Sequence, residues 1–248
     1  MDLSWVSLPD ARRIAVRHRP GAGQTVLFLP GYASDMMGSK AQALDASAQQ
    51  HGFALLRFDY SGTGESPGSF AEGTLERWLE EAEAVAALAD GPLLLVGSSM
   101  GGWLMLHLAE RLGARVVGVV GIAAAPDFTD WGYGPEDKAR LAAGEDLRRP
   151  NPYGGEAELT TAGFWRSGER LKVLGRALPI EAPVRLLHGD CDDEVPLDIA
   201  LRIKDVVASR DVQVTVVKGG THRLSAPHEL ALLEATVLDL LRRGAVAT

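Results

Sequence analysis

A serine flanked by glycines is the first feature of this sequence that points to chemistry. Ser99 lies in Gly97-Ser98-Ser99-Met100-Gly101, a G-x-S-x-G pattern between an apolar run (Pro92–Val96) and a helical pattern (Trp103–Leu112). A strand that turns straight into a helix crowds the backbone and leaves no room for side chains beside the serine. The pattern predicts a turn that presents Ser99 as a nucleophile for acyl transfer, with the unpaired N–H groups of the helix start behind it. Alone, such a pentapeptide also fits a Gly/Ser turn without chemistry.

A serine hydroxyl needs an adjacent base at neutral pH, and histidine is the usual one. The sequence has six histidines. Five of them lie within predicted strands or helices or end a strand: His18, His51, His107, His188 and His228. His222 instead follows a predicted strand in Lys218-Gly219-Gly220-Thr221-His222. Because loops after parallel strands meet at one sheet edge, His222 is the predicted general base for Ser99.

The base in turn needs a carboxylate that fixes its tautomer and stabilises the imidazolium. Four carboxylates occur within five residues of one turn, here called the acid turn: Asp190, Asp192, Asp193 and Glu194. Mutual repulsion places most members of such a group in solvent. Asp192 is the predicted acid and Asp193 the next candidate, whereas the other two are expected in the turn or on the surface. Cys191 is adjacent, but a serine nucleophile leaves it no catalytic role.

Two backbone N–H groups are expected to stabilise the charge that develops on the substrate carbonyl oxygen. One belongs to Met100, the residue after the nucleophile. The second is expected from the loop after the apolar run Thr25–Leu29, where Pro30-Gly31-Tyr32 makes the Tyr32 N–H the predicted donor. The Tyr32 ring is expected near the floor of the pocket, although simple packing explains this side chain equally well.

The elements that position these residues alternate along the chain. The predicted strands are two short ones within residues 4–18, Thr25–Leu29, Phe53–Phe58, Pro92–Val96, Val116–Ile122, Val184–His188 and Val212–Val217. The predicted helices are Ser39–His51 (capped by Ser39), Thr74–Ala89 (capped by Thr74), Trp103–Leu112, Leu197–Val207 and Pro227–Leu241. Strands that are apolar on both faces and alternate with helices predict an α/β fold, with a mostly parallel sheet covered on both faces.

The alternation breaks over residues 126–179, here called segment 126–179. This stretch is rich in glycine, proline, charge and aromatic residues, with one predicted helix at Pro135–Ala143. Its aromatic residues are Phe128, Trp131, Tyr133, Tyr153, Phe164 and Trp165. It is too long for a plain loop, so we predict an inserted lid over the C-terminal edge of the sheet. The alternative is a peripheral excursion that packs its aromatic side chains into the core.

Composition limits the class of protein and its partners. With 248 residues, of which 46% are hydrophobic and 23% charged, we expect one α/β domain over residues 1–248 with the lid insertion at about 126–179. The net charge of −8 argues against nucleic acid or an anionic membrane as the main partner. No apolar run reaches membrane-spanning length, one cysteine excludes an internal disulfide, and no signal peptide is evident. We expect a cytoplasmic protein without stable membrane insertion, and its oligomeric state stays open.

The chain order Ser99, Asp192, His222 is that of α/β-hydrolases, and the sequence resembles this family along nearly its whole length. More narrowly, it resembles the mitochondrial abhydrolase-domain palmitoyl-protein thioesterases and acyl-glucuronide esterases and their bacterial relatives. The stretches that carry this resemblance are Pro30-Gly31-Tyr32, Gly38-Ser39-Lys40, Arg57–Gly62, Val96–His107, Arg185–Gly189, Asp192, Val195-Pro196 and His222-Arg223. The shared acid turn supports Asp192 over its neighbours. Segment 126–179 resembles the group poorly, and the absence of a targeting segment points to a bacterial-type cytoplasmic relative.

These patterns predict a serine esterase or thioesterase with the α/β-hydrolase fold, a Ser-His-Asp triad, an oxyanion hole and an acyl-enzyme intermediate. The expected substrate is a small-molecule or acylated-protein ester or thioester, and the aromatic residues of the lid favour an apolar acyl group. No metal or organic cofactor is implied. Two alternatives stay open: an enzyme of this fold that performs acyl transfer, perhydrolysis or C–C bond hydrolysis, and a binding protein that kept the fold without the reaction.

Overall fold

An eight-stranded sheet forms the centre of the protein, whose computed structural model describes residues 2–151, 154 and 157–246. The strands are β1 (Leu3–Ser7), β2 (Arg13–Arg19), β3 (Ala22–Leu29), β4 (Phe53–Phe58), β5 (Leu93–Ser98), β6 (Val116–Ile122), β7 (Leu147–Arg149), β8 (Glu158–Thr160), β9 (Val184–Gly189) and β10 (Val212–Val217). The main sheet has the order β1-β2-β4-β3-β5-β6-β9-β10, and β7 pairs separately with β8. β2 runs antiparallel to both of its neighbours, whereas the other pairs of the main sheet are parallel.

Helices cover both faces of this sheet. They are α1 (Ser39–His51), α2 (Leu75–Ala86), α3 (Met100–Leu112), α4 (Phe128–Trp131), α5 (Pro135–Ala143), α6 (Ala162–Arg170), α7 (Leu197–Val206) and α8 (Pro227–Val246). Apolar residues of α1 and α8 form one buried core with the sheet, and those of α2, α3 and α7 form a second core on the other face. The predicted mostly parallel sheet with helices on both faces is confirmed.

Of the two helix caps predicted at Ser39 and Thr74, the structure shows one. Thr74 caps α2 as predicted, because its hydroxyl oxygen accepts a hydrogen bond from the Arg77 N–H at 3.1 Å. The predicted cap at Ser39 is wrong, since Gly38 is the residue before α1 and its carbonyl accepts the first helical bond, from the Gln42 N–H. Ser39 therefore lies inside the first turn of the helix.

Segment 126–179 contains more regular structure than the sequence predicted. The helix Pro135–Ala143 is present at its predicted bounds. Two further helices, α4 and α6, were not predicted. Thr161 caps α6, because its hydroxyl oxygen accepts the Phe164 N–H at 3.0 Å. Of the aromatic residues expected here, Tyr153 lies outside the described residues.

Both ends of segment 126–179 are fastened to the sheet and its helices. The buried Asp127 accepts hydrogen bonds from the N–H groups of Val173 and Leu174, each at 2.8 Å, so the carboxylate joins the start of the segment to its return. Beside it, the Trp103 indole of α3 donates to the Leu171 carbonyl at 3.0 Å. These bonds hold the base of the segment against α3.

Two aromatic side chains of segment 126–179, those of Phe128 and Phe164, pack against the core. Phe164 is 1% exposed, and its ring lies 5.6 Å from Trp78 and 4.8 Å from Tyr32. Phe128 packs on Trp103 at 5.7 Å. The same segment also contributes walls to the pocket described below, so packing into the core and covering the sheet edge are compatible.

None of the helices in the described part of the chain is both long enough and apolar enough to cross a membrane.

Candidate active site

Ser99 occupies the sharp turn between β5 and α3. Its backbone has φ 52° and ψ −120°, a conformation that costs energy for a residue with a Cβ. The turn is held on both sides, because the Ser99 N–H donates to the Ile122 carbonyl and the Ser99 carbonyl accepts from Gly102 and Ala125, all near 3.0 Å. The predicted strained turn is thus present, and its hydroxyl points into a pocket.

The glycines around Ser99 are required by close backbone contacts. A Cβ on Gly97 would lie 2.4 Å from the Gly101 carbonyl oxygen, and one on Gly101 would lie 2.1 Å from the Leu29 carbonyl oxygen. Both contacts are with backbone atoms that have no rotamer to change. The strand and the helix can therefore meet at this angle only without side chains at these two positions.

Gly101→Ala is therefore expected to destabilise the fold by roughly 1–3 kcal/mol, the usual cost of overpacking a buried site. The added methyl group displaces the end of β3, which leads into the loop that carries Tyr32, so the backbone beside Ser99 is expected to shift as well. Urea unfolding measures the free-energy change.

Gly163→Ala is the matched control for this prediction. Gly163 is exposed within α6, and its Cβ would make only an ordinary contact, 3.7 Å from the Thr161 hydroxyl. Because alanine favours helix over glycine by about 0.5–1 kcal/mol, this variant is expected to be slightly more stable. Equal stability losses in both variants would contradict the steric explanation.

The structure brings the three predicted side chains together. The His222 Nε2 lies 3.1 Å from the Ser99 Oγ, and the His222 Nδ1 lies 2.9 Å from an Asp192 carboxylate oxygen. The Asp192 side chain is 1% exposed and that of His222 is 13% exposed. Three groups from loops after β5, β9 and β10 thus form a continuous chain of hydrogen bonds that ends at a hydroxyl in a pocket.

Asp192 is held as an anion by its surroundings. One carboxylate oxygen accepts the N–H groups of Glu194 and Val195, both at 2.9 Å, and the other faces His222. Burial alone would raise the pKa of this carboxyl. The hydrogen bond and the charge of His222 lower it, the two backbone N–H groups lower it further, and the resulting pKa lies below the usual value. The buried His188 at the end of β9 holds the same turn in place, because its Nε2 contacts the Val195 carbonyl oxygen at 2.9 Å.

The other polar residues of the acid turn take different positions. Asp190, Asp193 and Glu194 are exposed, and Asp190 accepts the Gly219 N–H at 2.5 Å. Cys191 is also exposed, and the hydrogen bond and negative charge of Asp190 raise the pKa of its thiol, which disfavours the reactive thiolate. Burial distinguishes the Asp192 carboxylate from its neighbours.

The two residues predicted to supply the oxyanion donors are Met100, which directly follows Ser99, and Tyr32, whose neighbour Gly31 approaches Ser99. Met100 is the first residue of α3, so its N–H belongs to the group without an acceptor inside the helix. Gly31, directly before Tyr32, approaches Ser99 so closely that a Cβ on it would lie 3.4 Å from the Ser99 Cβ. The Tyr32 side chain turns toward segment 126–179, where its hydroxyl donates to the Leu159 carbonyl at 2.6 Å.

A pocket of about 840 Å³ opens over Ser99 and His222. Segment 126–179 provides an aromatic wall with Phe128, Trp131 and Tyr133, and the start of α1 and the acid turn provide polar walls. Lys40 also lines the pocket, and although it lies in one of the stretches that carry the family resemblance, no role was predicted for its side chain. Its ammonium donates to the Arg223 carbonyl at 2.5 Å, and burial together with the charge of Arg223 lowers its pKa to about 8, against the opposing effect of Glu229.

Within residues 2–151, 154 and 157–246, no group of three or more His, Cys, Asp or Glu side chains is arranged to hold a metal ion.

Comparison with known proteins identifies the family. The family model described as "alpha/beta hydrolase fold" matches residues 24–167, which is more than half of the chain. The chain belongs to the alpha/beta hydrolase fold family. The matched residues of this alpha/beta hydrolase run from β3 to α6 and include the Ser99 turn and the Tyr32 loop.

Relatives over nearly the full chain narrow the resemblance. Human palmitoyl-protein thioesterase ABHD10, mitochondrial, is 37% identical over 244 residues, covering 96% of this alpha/beta hydrolase and 80% of the human protein. The structure of mouse alpha/beta hydrolase domain-containing protein 10 is 34% identical with a TM-score of 0.91, covering 98% of this chain and 99% of that one. A putative hydrolase from Agrobacterium vitis S4 is 36% identical with a TM-score of 0.89, covering 97% and 98%. The resemblance to the abhydrolase-domain thioesterase group is confirmed, and it supports a hydrolase.

Proposed function

We propose that this protein is a serine hydrolase that cleaves carboxylic esters or thioesters, with Ser99 as nucleophile, His222 as general base and Asp192 as the acid that orients it. The observation that carries the proposal is the hydrogen-bonded chain from Asp192 through His222 to the Ser99 hydroxyl, with heavy-atom distances of 2.9 and 3.1 Å. These lie within the range from which a proton can be transferred directly.

In the acylation step, the Ser99 Oγ attacks the substrate carbonyl carbon while His222 Nε2 takes the hydroxyl proton. The carbonyl π electrons move to the oxygen, which the N–H groups of Tyr32 and Met100 stabilise. The tetrahedral intermediate then collapses, the bond to the alcohol or thiol breaks, and His222 returns the proton to the leaving group. Asp192, kept ionised by its low pKa, stabilises the imidazolium in between.

In the deacylation step, water replaces the leaving group. His222 removes a proton from this water, the resulting hydroxide equivalent attacks the acyl-enzyme carbonyl, and Ser99 leaves with the proton that His222 returns. The products are a carboxylic acid and the free enzyme. No step calls for a group beyond the side chains and backbone of the site.

The proposed substrate is a small-molecule or acylated-protein ester or thioester. The thioesterase name of the relatives supports an acylated substrate, and the aromatic wall of segment 126–179 favours an apolar acyl group. We propose that this segment acts as the lid over the site, within a single domain that includes it. The relatives named above include mitochondrial proteins, and the cytoplasmic location expected from the sequence stays a prediction.

An acyl-chain series with matched esters and thioesters tests this proposal. We expect hydrolysis of both classes, with kcat/KM rising by up to about four-fold for each methylene that the pocket buries. A fluorophosphonate probe is expected to label Ser99. Absence of both labelling and hydrolysis would contradict the proposed reaction, whereas a flat chain-length profile would contradict only the apolar acyl group.

The alternative reactions of the same fold differ in the group that accepts the acyl moiety or in the bond that breaks. Product analysis with alcohols, amines or hydrogen peroxide as competing acceptors distinguishes acyl transfer and perhydrolysis from hydrolysis.

A further inference from the structure

We propose that the Tyr32 hydroxyl is a positioning group. It couples the loop Pro30-Gly31-Tyr32, which carries the proposed oxyanion donor, to the strand β8 in the pocket wall. The inference deepens the proposed function and rests on it, because it assigns a role to the Tyr32 side chain in addition to the role of its backbone N–H. The Tyr32 hydroxyl donates to the Leu159 carbonyl at 2.6 Å across 127 residues of sequence.

The Tyr32 hydroxyl is the donor in this bond, because its partner is a backbone carbonyl oxygen. Burial raises the pKa of the Tyr32 phenol, so the hydroxyl stays protonated and acts as the donor across the pH range of an enzyme assay. The acceptor is a backbone carbonyl in a short strand that pairs with β7 through Arg148 opposite Leu159. Glu158 and Thr160, on either side of this carbonyl, line the pocket.

The Tyr32 ring is held as firmly as its hydroxyl. It meets Phe70 at 5.1 Å and Phe128 at 6.0 Å, both edge to face, and Phe164 at 4.8 Å in a tilted contact. Phe128 belongs to α4 and Phe164 to α6, so aromatic contacts bracket the ring from two elements of segment 126–179. Such contacts have preferred geometries and restrict the ring to one orientation.

The backbone of Tyr32, at the other end of the residue from the hydroxyl, follows Gly31 in the loop beside Ser99. The backbone of Gly31 and Tyr32 passes beside Ser99, with a hypothetical Gly31 Cβ only 3.4 Å from the Ser99 Cβ. An oxyanion donor must lie about 2.7–3.1 Å from the oxygen it stabilises, so small displacements of this backbone weaken the transition state. The side chain therefore holds the donor in place from the pocket wall.

Tyr32→Phe tests this role because it keeps the ring and removes the hydroxyl. We expect kcat for a p-nitrophenyl ester to fall about ten-fold with KM changed less than about three-fold, since the displaced donor acts in the transition state. If the bond served only to hold the pocket wall, KM would rise and kcat would stay constant. That result, or unchanged kinetics, would overturn the inference.

Trp165→Phe is the matched control. The Trp165 indole also donates to a backbone carbonyl of segment 126–179, that of Thr129 at 3.0 Å, but Trp165 does not line the pocket. We expect both variants to lose a similar amount of thermal stability. Only Trp165→Phe is expected to keep the kcat of the wild type. An equal fall of kcat in both variants would assign the effect to general loosening and would also overturn the inference. Ser99→Ala in the same assay separates this outcome from failure of the proposed function, because activity that survives in Ser99→Ala contradicts the function itself.

Discussion

Replacing Ser99 with alanine is expected to lower kcat for an activated short-chain ester by about 10⁴- to 10⁶-fold. The substitution removes the oxygen that would form the acyl-enzyme, and neither His222 nor the oxyanion donors replace it. The temperature of thermal unfolding is expected to stay close to that of the wild type, because within the described residues the hydroxyl forms a hydrogen bond with His222 alone. Ester hydrolysis by the purified variant, with circular dichroism as the check on folding, provides the measurement.

Cys191→Ala is the control for this prediction, since the Cys191 thiol is a possible nucleophile in the turn that carries Asp192. It is exposed and its thiol has a raised pKa, so we expect its variant to keep wild-type activity. Retained activity in Ser99→Ala, together with loss in Cys191→Ala, would contradict the assignment of the nucleophile.

Asp192→Asn carries the second largest expected effect, a fall in kcat of about 10⁴-fold. The amide preserves the shape of the side chain, but it is neutral, and its NH₂ group donates to His222 Nδ1 and so stabilises the wrong imidazole tautomer. The buried imidazolium that forms during the reaction also loses its counter-charge. Steady-state kinetics on the same ester measure the effect, and the fluorophosphonate labelling rate is expected to fall in parallel.

Asp193→Asn distinguishes this role from the general negative charge of the turn. Asp193 is exposed, and the carboxylates recorded within 4 Å of the His222 nitrogens are those of Asp192 and Glu194. We expect the Asp193 variant to lose less than about ten-fold in kcat, the scale of a solvent-screened charge rather than of a buried contact. If only this variant lost several orders of magnitude, the acid assignment would be wrong.

The sequence predicted the sheet and the loops that carry the site because both depend on short-range patterns. Apolar runs of strand length ended at Gly97-Ser98, Gly189 and Val217, and parallel strands bring the residues that follow to one edge. Among four neighbouring carboxylates, the pattern alone could not show which one is buried. In the structure this selection follows from the backbone N–H groups of Glu194 and Val195, which fold the turn around Asp192.

The helix α6 escaped prediction because its residues suit tertiary contacts better than isolated helix formation. Gly163 and Gly168 both weaken an isolated helix, yet Gly168 is required in place, since a Cβ there would lie 2.4 Å from the Thr129 side chain. Ser167 is fully buried and bonds to Glu76 of α2. Contacts from distant parts of the chain therefore stabilise α6, and no local window of sequence contains them.

The Tyr32 hydroxyl bond escaped prediction for a related reason. Its partner, Leu159, lies in a strand of three residues within the least regular part of the sequence, and its role depends on a backbone carbonyl that carries no sequence signal. Backbone donors such as Tyr32 and Met100 can be inferred from their neighbours in a motif. A side chain that reaches a remote carbonyl can be found only once the fold is known.

The carboxylate of Asp127 has a consequence for how enzymes of this architecture diversify. The Asp127 carboxylate accepts hydrogen bonds from Val173 and Leu174, and these bonds close the intervening chain into a loop whose two ends are held together. The entropy of closing a loop grows slowly with its length, by roughly 0.6 kcal/mol per doubling, so changes of length inside the loop cost little. Residues 128–172 can thus vary in length at little cost to the sheet, but a replacement that loses the Leu159 carbonyl or the rings of Phe128 and Phe164 also reaches Ser99 through Tyr32.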